Sequence, residues 1–224
     1  MSEKTNQAIV GLRTAHSIAL RELMGAGTLP DTTRQLTKMA EGLAELRSNP
    51  DPSQTTEWNA AKYRREYEKQ TERALALIEQ EKERLEIQVN RRRDEAAQTA
   101  KYDKPINQSE IRAALLRLDP KKRDKALTDA AREGRGDILA AIESEPAFLW
   151  GGSSHAVGDL VETALTSVSP EYKEARNLHE RGIRTLAEAG RYYGEAAESL
   201  RDPIGESRAS EASRKHAAAQ EKLA

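Results

Sequence analysis

Residues 169–200 read SPEYKEARNLHERGIRTLAEAGRYYGEAAESL, and this stretch decides the fold. Ser169 is a helix N-cap, Pro170 suits the first turn, and Glu171 sits near the positive end of the helix dipole. From there Tyr172, Ala175, His179, Gly182, Leu186, Ala189, Tyr193, Ala196 and Leu200 recur at spacings of three and four through four heptads. Alternate seam positions are Ala or Gly, and the others are large or ring-bearing. A small residue once per heptad lets a second backbone approach closely, with large residues interleaved. The stretch predicts one continuous helix whose small-residue track faces another helix.

The partner it predicts lies upstream. Between Asn49-Pro50-Asp51-Pro52-Ser53, which cannot be helical, and Lys104-Pro105 there is no further Gly or Pro. One helix over 54–102 would be about 70 Å long. Leu75, Ile78, Leu85 and Val89, with Lys82 completing the spacing, mark a narrow apolar face, and Tyr63, Tyr67 and Ala74 a weaker second one. Residues 170–200 are expected to run antiparallel along 75–100, as a stalk.

Between the two stalk helices, 105–168 has the best apolar density in the chain. Asn107 with Glu110 reads as a capping box, and Asp119-Pro120 as a second helix start. Leu127, Leu139, Ile142, Val161 and Leu165 supply a small core. Phe148-Leu149-Trp150 follows Pro146, and the expectation is a plug that closes that core; an interface anchor is the other reading, since aromatics dominate binding hot spots. Ahead of the stalk, 1–49 reads as two helices joined by Gly25-Ala26-Gly27. Beyond Asp202-Pro203 the chain is rich in Ala and charge with almost no apolar face, which predicts a frayed or partner-stabilised tail.

The expected architecture is therefore all-α and elongated, with long charged helices forming a stalk and a small helical module inserted between them. Its segments are a helical hairpin (1–49), a linker and long charged helix (50–104), the module (105–168), the seam helix (169–201) and a polar tail (202–224). Composition agrees. Leu, Ile, Val and Phe together make up about one residue in six, too few for a thick core, yet the 36 cationic and 37 acidic residues nearly cancel, unlike a disordered chain. The balance is also local: six positive and five negative charges in 1–50, twelve of each in 51–104, eight and ten in 105–168, ten of each in 169–224. No segment has the basic excess of a nucleic-acid arm.

Chemistry-bearing patterns are sparse. There is no Cys, hence no thiol chemistry and no Cys-based zinc site. His16, His155, His179 and His216 are scattered, and His179-Glu180 lacks the second His of a zinc helix. Neither glycine turn continues into a phosphate loop. Arg91-Arg92-Arg93 and Lys121-Lys122-Arg123 each adjoin carboxylates and read as solvated helix faces. No enzyme activity, metal or cofactor is expected. No apolar stretch is long enough for a membrane span, and no signal peptide is recognisable at the start.

Residues Ser109 to Gly151, SEIRAALLRLDPKKRDKALTDAAREGRGDILAAIESEPAFLWG, resemble a pattern in small helical proteins of tailed phages and prophages. There a helix, an Asp-Pro restart, an Ala-Leu-rich helix, a Gly-Asp break and a Pro-x-Phe-Leu end follow one another. The resemblance implies a virion or head-assembly role, in the particle or in the host cytoplasm during assembly. Long charged helices with narrow seams also call for partners, either copies of the chain or other virion proteins. The expectation is a structural or assembly protein, a minor virion component or scaffold-like factor, with no specific nucleic-acid binding. The alternative is a nucleic-acid-handling factor such as a small DNA-packaging subunit.

Overall fold

Helices begin where the sequence supplies a cap or a proline. In the computed structural model, which describes residues 2–102, 107–143, 145–152, 157–201 and 203–221, Ser2 caps α1 (Glu3–Glu22), its hydroxyl accepting from the Thr5 N–H at 3.2 Å. Pro30 sits in the first turn of α2 (Leu29–Ser48). The double-proline break separates it from α3 (Thr56–Thr99), 44 residues without interruption. Then come α4 (Gln108–Leu116), α5 (Pro120–Arg132), α6 (Gly136–Glu143), α7 (Val157–Val168), α8 (Pro170–Leu200) and α9 (Pro203–Glu221). The protein is all-α, with no strand among the described residues. Asp119 caps α5 through the Lys122 N–H at 3.0 Å, and Ser169 caps α8 through the Tyr172 N–H at 3.1 Å. The Asn107 capping box does not form: Asn107 stands in the left-handed region at φ 57° and its side chain makes no cap bond. The expected stop at Lys104-Pro105 lies outside the described residues. The tail, expected to be frayed or partner-stabilised, is helical over α9, as its Ala, Glu, Lys and Arg content favours.

By contacts the chain divides into two units, residues 1–85 with 180–224 and residues 86–179, so both α3 and α8 contribute to each.

In the first unit, α1, α2, the early part of α3 and the later part of α8 pair antiparallel in turn, an up-down-up-down bundle. Along α1 and α8, Thr5 Oγ1 meets Ser199 Oγ at 2.8 Å, the Tyr192 ring lies over Gly11, and Glu22 pairs with Arg181. Along α3 and α8, Ile78 packs on Gly190, Leu85 on Gly182, and the Tyr63 hydroxyl donates to the Leu200 carbonyl at 3.0 Å. A Cβ on Gly182 would stand 3.0 Å from Leu85 Cδ1 and 3.6 Å from Leu29 of α2. The missing side chain thus admits two neighbours at once. Gly182, Leu186, Ala189, Tyr193, Ala196 and Leu200 are all buried here.

The inward face of α3 differs from the expected one at two positions. Leu75 is 61 % exposed, while Ala74 is fully buried. Glu81, not Lys82, completes the row Ala74, Ile78, Glu81, Leu85. α8 offers Gly190 and Gly182 opposite Ile78 and Leu85, and the α3 residues in step with those two face inward.

Glu81 is buried because the hairpin turn between α1 and α2 needs polar partners. The turn carbonyl of Ala26 accepts from Arg84, Arg84 is held by Glu81 at 2.7 Å, and Glu81 accepts from Thr28 Oγ1 at 2.8 Å. A buried carboxylate is tolerated when paired and hydrogen-bonded in this way. Gly27, at φ +68°, lies under the Arg84 guanidinium.

In the second unit, α4 to α7 pack with the end of α3 and the start of α8. Ala96, Ala97, Leu115, Leu127, Leu139, Ile142, Trp150, Val157, Val161, Leu165 and Tyr172 are its core, and Val89 is half-buried against them. Ala175 is buried and His179 half-buried.

Overpacking the seam tests the first unit. Ala189→Leu should cost about 1–3 kcal/mol in thermal or denaturant unfolding, and Glu188→Leu, on the exposed face, close to nothing. Equal losses would show that the small-residue track does not set the packing.

Candidate interaction site

Phe148, Leu149 and Trp150 lie on one 3-10 turn, Ala147–Leu149, and its end. Three residues per turn place successive side chains about 120° apart. Residues two apart therefore cannot enter the same core, whereas residues three apart can. Trp150 is accordingly 2 % exposed, with Ala147 packed partly against the same core, while Phe148 is 75 % and Leu149 40 % exposed. The plug is Trp150 alone; the expectation that Phe148 would be buried with it is corrected. Leu116, the last residue of α4, the helix that packs on this turn, is exposed as well.

The turn is pinned from below. The N–H groups of Leu149 and Gly151 donate to the Pro146 and Ala147 carbonyls at 3.0 and 2.8 Å. Arg123 is 7 % exposed, and its guanidinium donates to the carbonyls of Leu115 (2.9 Å), Leu118 (2.7 Å) and Gly151. Carbonyls at the end of α4 carry the negative pole of that helix, which suits a buried cation. Gly151, at φ +78°, leaves room for this guanidinium; a Cβ there would stand 2.7 Å from it. Arg123, expected on a solvated face with Lys121 and Lys122, is buried instead. Only the two lysines are exposed. The usable signal was spacing: Arg123, Leu127 and Ala130 share the buried face of α5.

Glu162 of α7 forms a second polar centre in this unit. The Tyr172 hydroxyl donates to Oε2 at 2.7 Å, Arg176 approaches the same oxygen at 3.3 Å, and Arg93 approaches Oε1 at 3.4 Å. Burial, and then the adjacent Glu162 carboxylate, push the Tyr172 phenol up to about 12. Arg91 and Arg92 pair with Glu95 at 3.3 and 2.6 Å, so each arginine of the triplet has a carboxylate.

The remaining expected residues fall as follows. His16 Nδ1 lies 3.2 Å from Thr33 Oγ1. His155 and the His216 side chain lie outside the described residues. Among the described residues no group of His, Asp and Glu is arranged to hold a metal ion. Apart from Leu75, the residues expected at helix contacts are buried or half-buried within their own units. Compared with protein-family models, curated proteins and solved structures, the chain matches none.

Two outcomes follow. Trp150→Ala should cost about 3–5 kcal/mol of stability, whereas Phe148→Ala should leave the melting temperature near wild type; calorimetry of both variants decides. Because the folded Tyr172 holds its proton more tightly than the unfolded residue, its contribution to stability is complete below pH about 10 and lost as pH rises through about 12. Ultraviolet tyrosinate titration should show Tyr172 among the late phenols, with Tyr193 also delayed by its burial, and only the Tyr172 step should move earlier in Glu162→Gln.

Proposed function

We propose that the chain is a structural or assembly protein of a tailed-phage particle, working by protein–protein contact rather than catalysis, and that Phe148 and Leu149 are its anchor. The observation that carries this reading is the 75 % exposure of Phe148 on a turn fixed by Trp150 and Arg123. A large apolar side chain presented to water on a fixed turn costs little backbone entropy to dock, which is the character of a binding hot spot. The resemblance of Ser109–Gly151 to phage virion and head-assembly proteins ends on this same turn. No described helix is long and apolar enough to cross a membrane. Other virion proteins or further copies of the chain are the partners proposed, in the particle or in the host cytoplasm during assembly.

Peptide mass spectrometry of purified particles and of assembly intermediates should recover the chain. Phe148→Ser with Leu149→Ser should lower that recovery at least about tenfold at an unchanged melting temperature. Wild-type recovery of the double variant would remove the anchor, and absence of the chain from particles and intermediates alike would remove the assembly role.

A further inference from the structure

The turn that carries Phe148 sits in a corner whose charge is opposite in sign to that of its segment. Residues 105–168 hold eight cationic and ten acidic side chains, a negative balance. The Arg123 guanidinium donates at once to the carbonyls of Leu115, Leu118 and Gly151. The link after α4 and the end of the turn therefore meet at one group. α4 packs on the turn, and Lys121 stands in the same helical turn of α5 as Arg123. From 116 to 125 the exposed charges are Arg117, Lys121, Lys122 and Lys125 against Asp119 and Asp124, a positive balance.

The carboxylates closest in sequence to the apolar residues are already engaged. Asp119 caps α5 through the Lys122 N–H at 3.0 Å and pairs with Lys122 Nζ at 3.3 Å. Glu145, just ahead of the turn, pairs with Arg112 at 3.6 Å. Among the described residues Arg117 and Lys121 pair with no carboxylate, Asp124 one turn on included. The corner thus presents the exposed apolar side chains of Leu116, Phe148 and Leu149 together with two cations that lack a counter-charge.

We infer that Phe148 and Leu149 dock an acidic segment of another protein, one with carboxylates beside an apolar hole, and that Arg117 and Lys121 meet those carboxylates. This rests on the anchor reading above and adds the partner's chemistry. Two copies meeting turn to turn would set these cations against each other, and like-charge juxtaposition suppresses such a pairing. Carboxylates on the partner instead steer the encounter and fix its register. A knob of the size of Phe148 fits the hole between four side chains of a Leu-striped helix.

Two synthetic amphipathic helices test this, with the same Leu stripe, one flanked by Glu and the other by Lys, each titrated into the isotope-labelled full chain. The Glu helix should saturate at one site, shift the Leu116, Phe148 and Leu149 amide resonances, and weaken with added salt. The Lys helix should bind at least about tenfold more weakly, because attraction at Arg117 and Lys121 becomes repulsion. Arg117→Gln with Lys121→Gln should bring the two affinities together, and Phe148→Ser should lose both, each at an unchanged melting temperature. Equal affinities in the wild-type chain, lost in Phe148→Ser, would overturn the acidic partner and leave the anchor standing. Affinity for the Glu helix unchanged in Phe148→Ser, or no saturation with that helix at all, would overturn the inference. So would self-association of the chain that Phe148→Ser abolishes, which would assign the turn to a second copy.

Discussion

Gly182 and Gly190 bring no side-chain carbon to their contacts with Leu85 and Ile78, and the arrangement of the first unit depends on that close approach. Glycine inside a helix costs about 1 kcal/mol relative to alanine. The cost is offset because a backbone that comes within van der Waals range of Leu85 and Leu29 together gains many dispersion contacts. Large residues alternate with these gaps along α8, so α3 can dock in one register only. That register turns Ala74 inward and Leu75 outward, and it brings Glu81 under the α1–α2 turn. The hairpin then closes the bundle: Gly11 accepts the Tyr192 ring, and Thr5 meets Ser199.

Each unit holds one buried ionic group in place with backbone carbonyls. In the first, Arg84 joins Glu81 to the carbonyl of Ala26. In the second, Arg123 gathers three carbonyls and has no carboxylate among these partners. The desolvation cost of a buried cation is several kcal/mol, so these contacts specify geometry more than they add stability. Arg123 in particular fixes the turn that carries Phe148, linking a packing detail to the surface proposed for partners.

Local features were legible in the sequence. The breaks at 49–53, Asp119-Pro120 and Ser169-Pro170 act through caps and proline stereochemistry, which depend on a few neighbouring residues. The seam of α8 was legible because its spacing repeats over four heptads. What was not legible depends on residues distant in the chain. Nothing around Leu75 says which side of α3 the glycines of α8 will meet. Nothing in 1–49 says that its hairpin packs on α3 and α8. The grouping of Arg117 and Lys121 with Phe148 exists only once Arg123 ties α4 and α5 to the turn. Phe148 departs from expectation for a different reason: the 120° step of a 3-10 turn carries it away from the core that takes Trp150.

Isotope-filtered NOE spectroscopy on a mixture of labelled and unlabelled chains tests the central claim most directly. Intramolecular contacts are expected from the Ile78 methyl to Gly190 and from the Leu85 methyls to Gly182 in the same chain. Appearance of these contacts only between chains, or from neither methyl to either glycine, would contradict it.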